Sequence, residues 1–317
     1  MEQRKLGNTP LKIGPLVLGG NVFGWTLDEK TSFQILDAFV DAGLNAIDTA
    51  DIYSKWVPGH QGGESETILG RWFGRAPSNR QKVVLITKVG SEFSPERKGL
   101  SERWILQAAE DSLRRLKTDH IDLYLSHWPD PSVPYEETLG AYDKLLKGGK
   151  VRAIGASNLS AAQLTGALKA ARDAGLPRYE VLQPEYNLYS RTTFEGPLQD
   201  LTVKEALGVI PYFSLAAGFL TGKYRTEKDF AKSARGSGMA KYLNPRGLRI
   251  LSALDQVAQE TSSVPAEVAL AWLGSRPGVT APIASATSLS QLQSLVRSTQ
   301  LKLTPAQLTF LETASRP

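Results

Sequence analysis

The chain has 317 residues, 41% hydrophobic and 22% charged, a balance typical of a globular protein. It has no cysteine, which excludes disulfides and thiolate metal sites and suits a reducing cytoplasm. The net charge of +5 comes from Lys and Arg interleaved with Asp and Glu, so no nucleic-acid footprint is expected. Nor is a membrane span expected, because no apolar run approaches the roughly 18 residues one needs. Met1-Glu2-Gln3-Arg4-Lys5 precedes no apolar core, so no signal peptide is expected either.

Taken in order, residues 4–6 and 11–13 are short strands around the turn pair Gly7-Asn8, a β-hairpin cap. Leu16-Val17-Leu18 is a first core strand that stops at Gly19-Gly20. Residues 31–42 carry Phe33, Leu36, Phe39 and Val40 at helical spacing and end at Gly43. The stretch 45–53 then places a carboxylate, Asp48, at the end of a short apolar run, with Tyr53 five residues on. Residues 54–63 are a loop and 64–73 a helix. The run 83–87 is a buried strand that delivers Lys88. A helix over 100–116 leads to a strand over 121–125, followed by Ser126, His127 and Trp128.

The alternation continues with a helix over 135–146, a strand over 151–156 ending at Ser157-Asn158, and a helix over 160–174. A strand over 179–182 ends at Gln183, residues 193–206 are mostly helical, and a strand over 209–213 ends at Ser214. Residues 215–244 break the rhythm with Gly218, Gly222, Gly236 and Gly238. Helices over 245–260 and 265–273, a strand over 279–283 and helices over 289–297 and 305–314 complete the chain. Strands alternating with helices predict parallel pairing, and eight such units without a composition break predict one (β/α)8 TIM barrel over 1–317. An open doubly wound sheet would carry Gly-x-Gly-x-x-Gly after its first strand to hold a dinucleotide, and no such triplet occurs.

In a barrel, the C-terminal strand ends converge. That brings Asp48, Tyr53, Lys88 and His127 together as a proton-donor assembly. A free phenol, with a pKa of about 10, is a poor acid near neutrality; a neighbouring ammonium lowers it, so Lys88 is expected to tune Tyr53. Asp48 would pair with Lys88, and His127 would bond the oxygen that Tyr53 protonates. Ser157, Asn158 and Gln183 offer in-plane hydrogen bonds suited to a carboxamide, and Tyr212 offers a face for stacking. Ser214, Leu215, Gly218 and Gly222-Lys223 form a small-residue loop with a cation, suited to a pyrophosphate. Ser285, Thr287 and Gln291 sit where the last strand meets a helix N-terminus. A nicotinamide dinucleotide fits that division of the rim. Gly218–Lys223 is one residue short of a P-loop, and His60, His120 and His127 lack metal-ligand spacing, so no metal is expected.

The whole chain resembles the aldo-keto reductase family. The resemblance is carried by Asp48-Thr49-Ala50-Asp51-Ile52-Tyr53, Gly63-Glu64-Ser65-Glu66, Ile86-Thr87-Lys88, Ser112-Leu113-Arg114-Arg115-Leu116 and His127-Trp128-Pro129-Asp130. It extends through the stretch 155–158, Gln183-Pro184-Glu185-Tyr186-Asn187 and Gly218-Phe219-Leu220-Thr221-Gly222-Lys223. It implies a barrel that binds NADPH extended and reduces aldehydes or ketones, reversibly, to alcohols. It further implies Tyr53 as general acid, with Asp48, Lys88 and His127 completing a catalytic tetrad. Cofactor contacts are then expected at Gly20, Asn21, Asp48, Ser157, Asn158, Gln183, Tyr212, Phe213, Ser214, Leu215, Gly218, Lys223, Ser285, Thr287 and Gln291. Trp25, Trp56 and Trp128 are expected as aromatic walls for a small-molecule carbonyl substrate.

Two departures bear on the cofactor. The usual Tyr-Ser-Pro-Leu is here Tyr212-Phe213-Ser214-Leu215, and the last-strand motif Ser285-Ala286-Thr287-Ser288 has no basic residue. NADPH is therefore expected over NADH by a reduced margin, with Arg225, Arg235 and Arg297 as candidates for the 2′-phosphate. A nucleotide-sensing regulatory subunit of the same fold, resembling a channel β-subunit, is the alternative.

Overall fold

A computed structural model describes residues 2–317. Strands β1 (Arg4–Lys5) and β2 (Lys12–Ile13) pair antiparallel, Arg4 opposite Ile13, as the expected hairpin. Eight further strands form one parallel sheet in the order β10-β3-β4-β5-β6-β7-β8-β9. They are β3 (Val17–Gly19), β4 (Ala46–Asp48), β5 (Val84–Val89), β6 (Ile121–Ser126), β7 (Val151–Ser157), β8 (Val181–Gln183), β9 (Gly208–Val209) and β10 (Ile283–Ala284). The sheet closes on itself: the Thr280 N–H donates to the Val209 carbonyl at 2.8 Å and the Ile283 N–H to the Pro211 carbonyl at 2.9 Å. The fold is the (β/α)8 barrel that the alternation predicts.

The helices are α1 (Glu29–Asp41), α2 (Glu64–Arg75), α3 (Pro77–Gln81), α4 (Glu102–Leu116), α5 (Tyr135–Lys147), α6 (Ala161–Ala174), α7 (Pro197–Lys204), α8 (Pro245–Glu260), α9 (Pro265–Gly274), α10 (Leu289–Ser298) and α11 (Pro305–Ala314). Most boundaries fall where the caps put them. Asp28 accepts the Thr31 N–H and starts α1 earlier than the apolar pattern indicates. Ser160 and Gln163 form a reciprocal capping box on α6, and Gly175, in the left-handed region, ends it. The helix expected over 193–206 shrinks to α7, because Gly196-Pro197 resets the chain and Pro fits the first helical turn. The strand expected over 209–213 shrinks to β9, because Pro211 has no N–H for the ladder. Short α3 was not expected. Residues 215–244 resolve into 3-10 segments at Ala216–Thr221, Glu227–Lys232 and Gly236–Tyr242.

Strand side chains alternate between two environments. One set, Val17, Ala46, Ile86, Leu123, Leu125, Ala153, Val181, Ile210, Ala281 and Ile283, packs into a single cluster inside the barrel. Leu6, Leu11 and Ile13 of the hairpin join it, so the cap seals the end opposite the site. The other set, including Leu18, Ile47, Leu85, Tyr124, Ile154, Leu182 and Val209, packs outward against the helices. Each fully buried aliphatic side chain contributes about 1.5–3 kcal/mol. Gly155 sits inside because a Cβ there would lie 2.5 Å from the Val181 carbonyl oxygen.

Candidate active site

The inward set, continued two residues at a time, supplies the site. From Val17 it runs to Gly19 and Asn21, from Ala46 to Asp48, and from Ile86 to Lys88. From Leu125 it runs to His127, from Ala153 to Ser157, from Val181 to Gln183, from Ile210 to Tyr212 and from Ile283 to Ser285. The pleat that fills the barrel with Val, Leu and Ile lower down presents polar groups at its mouth. Gly19, Asn21, Asp48, His127, Ser157, Gln183, Tyr212 and Ser285 all line one cavity of about 650 Å³.

Lys88 is fully buried beneath that cavity. Its ammonium donates to Asp48 Oδ2 at 2.8 Å, to the Thr49 carbonyl at 2.7 Å and to the Tyr53 hydroxyl at 2.9 Å. Three acceptors use all three of its donors. Asp48 is held from the other side by Gln183 Nε2, 2.8 Å from Oδ1. Burial pushes the Lys88 ammonium down, and the Asp48 carboxylate opposes it. The Tyr53 phenol is pushed well above its ordinary value, by burial first and then by the Asp48 carboxylate. The expected lowering of Tyr53 by Lys88 is therefore outweighed in this structure, and the phenol keeps its proton, as a donor must. The His127 imidazole is pushed well below its ordinary value by burial and by the Lys88 charge, so it is neutral. Its Nδ1 lies 3.0 Å from Ser91 Oγ, which leaves Nε2 for a ligand.

The carboxamide-type groups form a connected set. Asn158, held in the left-handed region at φ 62°, donates from Nδ2 to the His127 carbonyl at 2.9 Å. Its Oδ1 accepts the Tyr212 hydroxyl at 2.7 Å. Ser157 Oγ donates to the Gln183 carbonyl at 2.8 Å. Gln183 thus shares its amide between Asp48 and the cavity, a role in holding the tetrad that spacing does not reveal. Phe213, Ser214, Leu215, Ala217, Gly218, Thr221 and Lys223 continue the wall. Ala216, Ala217 and Gly218 all have positive φ, at 48°, 54° and 103°, a run in which only the glycine is unstrained. Among the described residues Lys223 has no carboxylate partner, and its ammonium lies 5.0 Å over the Tyr224 ring, so its charge is available to an anion. Thr287 and Gln291 line the far end, where Gln291 Oε1 accepts both the N–H and the hydroxyl of Thr287. These groups fit a long, planar, anionic ligand.

Not every expected residue reaches the cavity. Gly20 is buried behind the wall, its carbonyl accepting Ser65 Oγ at 2.8 Å. Trp56 and Trp128 line the mouth, but Trp25 stands behind Trp56, its ring 5.5 Å away edge-on. Of the three arginines considered for a phosphate, Arg225 pairs with Asp255 at 2.7 Å and Arg297 with Glu267 at 2.7 Å. Arg235 does line the cavity, at the Tyr53 end rather than the Thr287 end. Ser91 was missed, although it directly follows the Lys88 strand and its Gly90 corner.

The family model for the aldo/keto reductase family matches residues 15–316. Among similar proteins is an oxidoreductase of Bacillus subtilis, YrpG, 34% identical over 311 residues, covering 96% of this chain and 92% of that protein. Another is a probable voltage-gated potassium channel subunit beta of Arabidopsis thaliana, 33% identical over 321 residues, covering 98% of this chain and 96% of its own. The aldo-keto reductase YhdN of Bacillus subtilis is 32% identical over 306 residues, covering 93% and 88% respectively. No helix among the described residues is long and apolar enough to cross a membrane. With the barrel, the strand-end tetrad and a match that spans nearly the whole sequence, the chain belongs to the aldo/keto reductase family and is an oxidoreductase.

Proposed function

We propose that this chain reduces aldehydes or ketones to alcohols with NADPH, reversibly and in the cytoplasm. The observation that carries the reading is one contact set. A single buried ammonium touches both Asp48 and the Tyr53 phenol beneath a cavity of about 650 Å³ whose wall runs from Trp128 to Gln291. The bound nicotinamide would supply the hydride. The chain supplies the rest. Trp56 and Trp128 flank the substrate at the mouth, and neutral His127 orients its carbonyl oxygen through Nε2. Tyr53 donates its proton to that oxygen, and Lys88 stabilises the tyrosinate left behind. Asp48, braced by Gln183, holds Lys88 in place. Ser157, Asn158 and Gln183 would hold the carboxamide, Tyr212 would stack on the ring, and Lys223 with the 214–218 loop would hold the pyrophosphate. Oxidation of NADPH in the presence of para-nitrobenzaldehyde tests the reading. Turnover at enzyme-like rates supports it, and its absence at high enzyme concentration refutes it.

The relatives named as channel β-subunits favour a second reading, a nucleotide-sensing subunit with little turnover. Tight cofactor binding with negligible turnover would select it.

The 2′-phosphate has no arginine at the Thr287 end. What supports its binding there is the α10 N-terminus with the Thr287 hydroxyl, which lines the cavity; the Ser288 hydroxyl is taken up in capping the helix. Neutral hydrogen bonds are roughly half as strong as charge-assisted ones. The preference for NADPH over NADH should therefore be smaller, by about 1–2 kcal/mol or roughly tenfold, than an arginine at that end would give. Quenching of tryptophan fluorescence gives both Kd values, and equal or tighter binding of NADH overturns the preference.

A further inference from the structure

Ser91 makes a contact that strand alternation alone does not give it. Along β5, Lys88 points inward to Tyr53 and Val89 packs outward with the helices, so by parity Ser91 should follow Val89 away from the mouth. Gly90 breaks the alternation. Its φ of 115° suits glycine and strains other residues, and beyond it Ser91 Oγ lies 3.0 Å from His127 Nδ1. Ser91 is only 8% exposed, and among the described residues its hydroxyl makes no other hydrogen bond.

Other contacts hold His127 in place. Its N–H donates to the Val89 carbonyl at 2.8 Å, and its carbonyl accepts Asn158 Nδ2 at 2.9 Å. The Trp128 ring stacks on the imidazole at 5.7 Å, tilted by 14°. These contacts fix where the ring lies but not which nitrogen carries the proton. A neutral imidazole has one N–H and one bare nitrogen, and only the N–H can donate to a carbonyl oxygen. Ser91 decides between the two. If Nδ1 carried the proton, the Ser91 oxygen would accept it, and the hydroxyl's own hydrogen would be buried without an acceptor, which is costly. If the hydroxyl donates to Nδ1, its hydrogen is used and the ring proton sits on Nε2. Burial and the Lys88 charge keep the ring from taking a second proton.

We propose that Ser91 is a positioning residue for the reduction: its hydroxyl donates to His127 Nδ1, so that the imidazole presents Nε2–H to the substrate oxygen. The inference rests on the carbonyl-reductase reading and adds to it a residue outside the cavity wall, acting only through His127. The carbonyl takes its hydride from the dihydronicotinamide, which is oxidised, and its proton from Tyr53, which is replaced from solvent. His127 keeps its own proton throughout, and Ser91 is unchanged.

The test reads the tautomer directly. In the full chain labelled with nitrogen-15 histidine, long-range proton–nitrogen spectra separate the two neutral forms, and the His127→Gln variant identifies the His127 signals among those of His60 and His120. Wild-type His127 should be in the Nε2–H form at neutral pH. Ser91→Ala should populate the Nδ1–H form beside it. In that variant kcat for para-nitrobenzaldehyde should fall about three- to tenfold, the range for one hydrogen bond, with the NADPH Kd unchanged within about twofold. Ser91→Thr keeps the hydroxyl and should restore both the tautomer and the rate. A wild-type His127 in the Nδ1–H form, or a tautomer unmoved in Ser91→Ala, would overturn the proposal whatever the turnover. A tautomer that shifts while kcat stays at the wild-type value would overturn it too, by removing its link to the reduction. A tautomer that shifts in Ser91→Ala and returns in Ser91→Thr, with no aldehyde reduced by any of the three proteins, would keep the Ser91–His127 assignment and overturn the reductase reading.

Discussion

Tyr53→Phe should lose about 10²–10⁴-fold in kcat for carbonyl reduction, the range attributed to a positioned proton donor. The substitution deletes one oxygen from a ring whose surroundings are otherwise retained: Lys88 below it, and the edges of Trp56 and His127 beside it. Cofactor affinity should therefore stay within about twofold, because no expected contact of the dinucleotide lies on that hydroxyl. The measurement is single-turnover NADPH oxidation in parallel with cofactor binding. Retention of more than half the wild-type rate would sink the assignment. The direction of the phenol's shift sharpens the expectation. Burial keeps Tyr53 protonated across the neutral range, so the wild-type reduction should show no loss of activity from tyrosine ionisation as pH is raised toward 9.

Lys88→Met should remove activity to a similar extent and also destabilise the fold. It leaves the Asp48 carboxylate buried with only the Gln183 amide at 2.8 Å and the Tyr53 hydroxyl at 3.4 Å, both neutral, and it leaves the Thr49 carbonyl without its ammonium donor. Breaking one side of a buried ion pair costs about 3–5 kcal/mol, because the remaining charge is uncompensated. Removing both charges is a different matter, and an apolar or neutral pair of similar shape is often nearly neutral. The double variant Asp48→Asn/Lys88→Met should therefore recover at least half of the stability lost by Lys88→Met while recovering none of the activity. Urea unfolding of the two single variants and the double gives the coupling directly. Additive losses would mean that the pair is not the unit proposed.

Much of this was legible in the sequence, for reasons that can be named. The barrel follows from eight strand–helix alternations, and α8 and α11 begin where Pro245 and Pro305 say they must, just after an Asn or Thr cap. The tetrad follows from acid, amine and imidazole falling at successive strand ends. What was not legible depends on contacts between distant segments. The Gln183 bond to Asp48 joins residues 135 apart in the chain, and no local spacing carries it. The balance of forces on Tyr53 depends on burial, which a sequence does not display, so the Lys88 effect was overestimated there. The three arginines were equal as letters; only packing shows two of them paired with carboxylates and the third on the cavity wall over the Trp25 ring.

The alternation of side chains along each strand has one more consequence. It amounts to two interleaved frames written in one stretch of chain, with Leu18, Ile47, Leu85, Tyr124 and Leu182 in one and Gly19, Asp48, Lys88, His127 and Gln183 in the other. Deleting a single residue within a strand would exchange the frames, turning Ile47 into the cavity and Asp48 into the helix layer. Substitution respects the frames, whereas insertion and deletion do not. A lineage built on this barrel can therefore rewrite the letters of the chemical frame, one mouth position at a time, without disturbing the frame that holds the helices on. Its changes of length are confined to the loops beyond the strand ends, such as residues 215–244, the segment that carries Arg235.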